Sequence, residues 1–122
     1  MFPFARQVQI ATDFAKGASA RLAGVEVPRY DDTETTFAEL KARIAKTLDF
    51  IGGLPQDALE ASAQRDITTS SGPNAKQFKG QVYLIHYALA HFYFHATTAY
   101  DILRHNGVEI GKKDFVGSFD AM

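Results

Sequence analysis

The chain has 122 residues, 46% of them apolar, a formal net charge of −1 and no cysteine. That length and apolar content suit one domain over residues 1–122 with a buried core, and the near-zero charge offers no field to nucleic acid or to an anionic membrane. Lack of cysteine removes disulfides and thiolate chemistry, and with no membrane-length apolar run and no charged-then-apolar leader the expected location is cytoplasmic.

Pro3 is placed as a helix starter, and Phe4, Val8, Ala11, Ala15, Ala18 and Leu22 follow at helical spacing. They predict a helix over 4–23, ended by Gly24, with an Ala-rich seam that lets a neighbour approach closely. Gln7, Gln9 and Asp13 flank the seam, where such side chains are ordinarily solvated; the alternative is a wall facing a ligand. Residues 25–35 read as a connector. Its acids Asp31, Asp32 and Glu34 precede a helix start and favour that helix's dipole, because a calcium loop needs a glycine and a defined ligand spacing.

Thr36 and Glu39 form a capping-box pattern, and Phe37, Leu40, Ile44, Leu48 and Ile51 make an apolar stripe. The second predicted helix therefore covers 37–52, stopped by Gly52-Gly53 and Pro55. Lys41, Arg43, Lys46 and Asp49 fall off the stripe and read as a solvated face of mixed charge. Residues 66–79 read as a short hairpin around the turn-rich Ser70–Asn74, which lacks the glycines and Lys-Ser/Thr of a phosphate loop.

The third predicted helix covers 81–106, with a stripe of Ile85, Leu89, Phe92, Ala96, Ala99 and Leu103. In the tail, Ile110, Phe115 and Phe119 can pin the chain back over the bundle, with the last few residues loose. His91 and His95 stand four apart on one face, a spacing that suits two ligands of one metal or a partly buried polar anchor at His95. His86 lies on the opposite edge, and His105 is ~15 Å along the axis from His95 at the helical rise, too far to share an ion.

The segments Phe92-Tyr93-Phe94-His95, Thr97-Thr98-Ala99-Tyr100 and Leu103-Arg104-His105-Asn106-Gly107-Val108, followed by Gly111-Lys112 and Asp114-Phe115, carry a family likeness. The chain resembles an uncharacterised, domain-of-unknown-function branch of the DinB/YfiT-like helical bundles. The resemblance implies an all-α, up-down helical bundle, here with three long helices and a short hairpin before the last. In that family a metal is held by a histidine of the second helix plus a His-x-x-x-His pair on the last. The first helix here matches that second helix and has no histidine.

Two functions of different class follow. One is a non-catalytic small-ligand-binding or assembly domain, in which the aromatics Phe92, Tyr93, Phe94 and Tyr100 serve packing. The other, implied by the family, is a metal-dependent enzyme acting on a small molecule in an inter-helix groove lined by Gln7, Asp13, Tyr93 and Tyr100, with His91 and His95 as ligands of a divalent transition metal, Zn or Ni, and Asp13 or Gln7 near its open position. Relatives also carry about one more helix ahead of the residue matched by Met1. A homodimer is therefore expected, its interface centred on Val8, Ala11, Ala15 and Leu22 and standing in for that helix.

Overall fold

The computed structural model describes residues 1–70 and 72–119. Helix α1 (Phe4–Ala23) ends in Gly24, whose φ of 74° only glycine adopts freely. The Gly24 N–H donates to the Arg21 carbonyl and the Val25 N–H to that of Ala20, so the stop is a Schellman motif. An extended connector leads to α2 (Phe37–Gly52), where Thr36 Oγ1 accepts from the Glu39 N–H at 3.1 Å. The Glu39 carboxylate takes bonds from Thr36 Oγ1 and from the hydroxyl and N–H of Thr35, and these hold its pKa below the usual range.

A short helix α3 (Gln56–Glu60) precedes the hairpin of β1 (Asp66–Thr68) and β2 (Gln77–Lys79), antiparallel with Ile67 opposite Phe78. The last rod runs without a break through α4 (Gly80–Val82), a π-helical segment (Tyr83–Ala88) and α5 (Leu89–His105). After Gly107 the chain turns back into α6 (Lys112–Val116), which sets Phe115 edge-on to Tyr100. Phe119 stays exposed, and residues 120–122 lie outside the described residues. No described helix is long and apolar enough to cross a membrane.

The all-α bundle, the three long helices and the hairpin agree with the sequence reading. Helix α1 is central: α5 packs along one flank and α2 along the other, while α2 and α5 make little contact with each other. The core is therefore in two pieces. Val8, Leu40 and Ala99 close one end, and Ala18, Leu22, Ile67, Tyr83 and Ala88 close the end beneath the hairpin.

Several readings of individual residues need correction. Gln7 and Gln9, expected to be solvated beside the α1 seam, are both buried. Arg43 is 5% exposed, not solvated, and α2 turns Leu40, Arg43 and Thr47 toward the interior. The stripe expected to be core is instead largely bare, with Phe37, Ile44 and Leu48 all exposed. Ile85 is exposed as well, and Tyr83 takes the buried place, because the π segment changes the phase of the rod ahead of α5.

Candidate functional site

His95 sits partly buried on α5, with Nδ1 2.7 Å from Oε1 of Gln7 on α1. Gln7 is 1% exposed, and its Nε2 donates to the Phe2 carbonyl at 3.1 Å. That carbonyl can only accept, so the amide orientation is settled: Oε1 faces the histidine, Nδ1 carries the proton, and Nε2 presents its lone pair. His91, one turn earlier, stacks on Phe14 at 4.6 Å and leans on Tyr87 at 4.5 Å.

Burial, then the neighbouring His91 and Arg6, hold the pKa of His95 below the ordinary imidazole value. The folded state thus binds a proton there less readily than the unfolded chain. The stabilisation is complete above the unfolded value of about 6.5 and is lost as pH falls through the lower folded value. Thermal melting followed from pH 7.5 down to 5 should show a fall that His95→Gln flattens. An identical slope in both proteins would show that His95 is not the group responsible.

As a metal centre the histidines supply two nitrogen donors. Gln7 Oε1 is already engaged by His95, and no group of three His, Cys, Asp or Glu comes together among the described residues. A catalytic zinc site takes three protein ligands, so the pair does not make one by itself.

Asp13, expected near the histidines, instead faces α2. Its Oδ1 receives Arg43 Nη2 at 2.7 Å and Lys16 Nζ at 2.9 Å. The same guanidinium donates from Nε to Thr12 Oγ1 at 2.7 Å and reaches Asp32 and Glu34 from Nη1, both at 3.0 Å. Gln9 Nε2 adds a bond to Glu34, and the Tyr30 ring lies against Lys16 Nζ at 3.9 Å and Lys46 Nζ at 4.2 Å. Arg43 thus ties α1, α2 and the connector together. The acids of the connector serve it, an arrangement that no local pattern announces.

Of the other expected groove residues, Tyr93 points out into solvent and Tyr100 lies under Phe115 of the tail. The structure brings Gln7, His91 and His95 to one edge and leaves Asp13, Tyr93 and Tyr100 elsewhere.

A different groove is present. It runs over α1 between α2 and α5, with Val8, Ala11 and Ala15 as floor and Ile44, Leu48 and Phe92 on its walls, enclosing about 290 Å³. A second hollow of about 200 Å³ continues it past Ala15, Ile51 and Phe92 toward Leu84 and Leu89. The hydroxyls along it are turned inward: Thr12 donates to the carbonyls of Val8 and Gln9, and Thr47 to that of Arg43. The lining of the larger hollow is consequently apolar throughout, and in the smaller one Ser19 donates back to the Ala15 carbonyl. The apolar stripe of α2 was visible in the sequence, but its exposure was not.

Comparison with known proteins agrees with this architecture. A crystal structure of a DinB family member protein from Shewanella denitrificans is similar to the chain, with 44% identity and a TM-score of 0.89 over 100% of this chain and 69% of that one. No curated protein matches. Residues 1–116 match the family model described as a domain of unknown function, DUF1993. The chain belongs to the DUF1993 family, and its fold is the DinB-like helical bundle.

Proposed function

We propose that this chain is a non-catalytic assembly domain whose working surface is the apolar groove over α1. The observation that carries the reading is the lining itself: small residues on the floor, branched and aromatic side chains on the walls, and no polar group aimed inward. Such a trough has nothing with which to orient a polar substrate or move a proton, and it has the form that accepts the apolar face of a helix. The histidine edge offers a hydrogen-bonded imidazole held in one tautomer, which serves as a polar anchor between α1 and α5.

An environment-sensitive apolar dye tests the reading. It should brighten on dilute folded protein. Ala15→Trp, which fills the middle of the floor, should reduce that signal several-fold with the helical circular dichroism unchanged. Undiminished dye binding to the folded variant would remove the support for the groove as the working surface.

A further inference from the structure

We propose that a hollow between α1, the hairpin loop and the π segment binds a small hydroxylated aromatic acid, with Arg21 receiving its carboxylate. The hollow encloses about 270 Å³, near the lower end of small-molecule clefts. It is separate from the groove over α1, and neither reading depends on the other. Phe14 and Tyr87 supply its apolar side, Thr69, Ser70 and Asn74 a polar rim, and Asp13 and Arg21 its charges. Arg21 is partly buried, its Nη1 donates to the Tyr83 hydroxyl at 3.3 Å, and no carboxylate among the described residues pairs with it. A cation withdrawn from water is ordinarily met by an acid, and the planar fork of a guanidinium takes a carboxylate through two parallel bonds.

Gly17 points the same way. It is buried within α1, where glycine is less favourable than alanine. A Cβ there would lie 2.9 Å from Arg21 Nη1 and 3.8 Å from its Cζ, while the next side chain, Val27, is 4.0 Å away. The glycine thus makes room for the guanidinium, which folds back along α1 instead of toward the C-terminal carbonyls that a cation in this last turn would otherwise serve. The ring follows from the wall. Phe14 and Tyr87 meet at 6.1 Å, and His91 lies against them at 4.6 and 4.5 Å, a surface that takes a flat ring by stacking or edge contact. Lys76 Nζ, 5.9 Å from the Tyr87 ring, adds positive charge at the rim. Asp13 does not repel an acid, because Arg43 and Lys16 both donate to its Oδ1. Its Oδ2 is left to accept from a hydroxyl. Asp13 and Gly17 are ~6 Å apart along the helix axis, a separation suited to the two ends of a para-substituted ring.

NMR titration of the full chain with 4-hydroxybenzoate should shift the ring signals of Phe14 and Tyr87 and saturate at one site per chain, with a Kd below about 1 mM. Two analogues should each bind about tenfold more weakly: 4-hydroxybenzamide, which lacks the charge, and cyclohexanecarboxylate, which lacks the flat ring. Arg21→Gln should cost about tenfold in affinity. Gly17→Ala should displace the guanidinium and weaken binding several-fold, while melting at or above the native temperature. Native affinity in folded Arg21→Gln would overturn Arg21 as the receptor. A Gly17→Ala protein that melts lower and binds like the native chain would make the glycine a packing residue and remove its support. Inorganic phosphate binding as tightly as 4-hydroxybenzoate would reduce the hollow to a general anion site and overturn the aromatic acid. Unshifted Phe14 and Tyr87 signals at ten times the expected Kd would end the proposal.

Discussion

Replacing Arg43 with Ala should lower the free energy of unfolding by about 3 kcal/mol, a large share of what holds a small domain together. The guanidinium is nearly enclosed, and it meets Thr12 and Asp13 on α1 and Asp32 and Glu34 in the connector. Removing it leaves Glu34, only 13% exposed along its side chain, without its cation, and leaves a cavity between α1 and α2. Asp13 and Asp32, at 38% and 41%, recover hydration, which is why the low end of the range for a broken buried pair applies. Arg43→Lys keeps the charge but cannot reach so many partners from one planar fork, and should fall between Ala and the native chain. Arg6→Ala is the comparison. Arg6 meets Asp32 at 3.0 Å on the surface and should change stability by less than about 1 kcal/mol. Urea unfolding followed by circular dichroism measures all three; a midpoint for Arg43→Ala equal to that for Arg6→Ala would show that the network is ornamental.

Gly80→Ala should be nearly as damaging, at about 3 kcal/mol, for a purely steric reason. A Cβ there would overlap the Ser62 carbonyl oxygen and lie 2.9 Å from its carbon, both backbone atoms that cannot swing aside. The approach is enforced by two short bonds, from the Gly80 N–H to the Arg65 carbonyl at 2.8 Å and from the Gln81 N–H to that of Ala63 at 2.9 Å. An added methyl must break these bonds or push the start of the rod off the 62–65 turn. Tyr83, 1% exposed three residues later, would then lose its seat against Leu22 and Ile67. Gly52→Ala makes the contrast, because nothing lies within 4 Å of a Cβ at that helix end. It should be neutral or slightly stabilising through the unfolded chain. Equal melting temperatures for the two variants would contradict the packing argument.

What could be read from sequence was what neighbours along the chain decide. The Thr36–Glu39 cap, the Gly24 stop and the short hairpin within 66–79 each depend on residues close together in the chain, and all are present. The four-residue spacing likewise put His91 and His95 on one side of α5. Their environment was not legible, because Gln7 is 88 positions from the histidine it holds. Arg43 looked solvated for the same reason, since its partners arrive from α1 and the connector only once the chain has folded. The stripe of α2 shows the complementary failure. Periodicity says which side chains gain from leaving water, not what stands opposite them.

The π-helical turn at Tyr83–Ala88 has a consequence for how members of this family can vary. A turn closed over five residues instead of four holds one residue more than its neighbours. Six residues at the wider pitch turn the chain about as far as five α-helical residues at roughly 100° each, so removing any one of those six positions would relax the segment to an ordinary α-helix and leave its two flanks in nearly the same relative orientation. Tyr83 would keep its place in the core, and the hairpin joined to it through Gly80 would keep its aim. A relative with a one-residue gap at this place is expected to carry a straight helix with the same face under its hairpin, so this is where the rod tolerates a change of length.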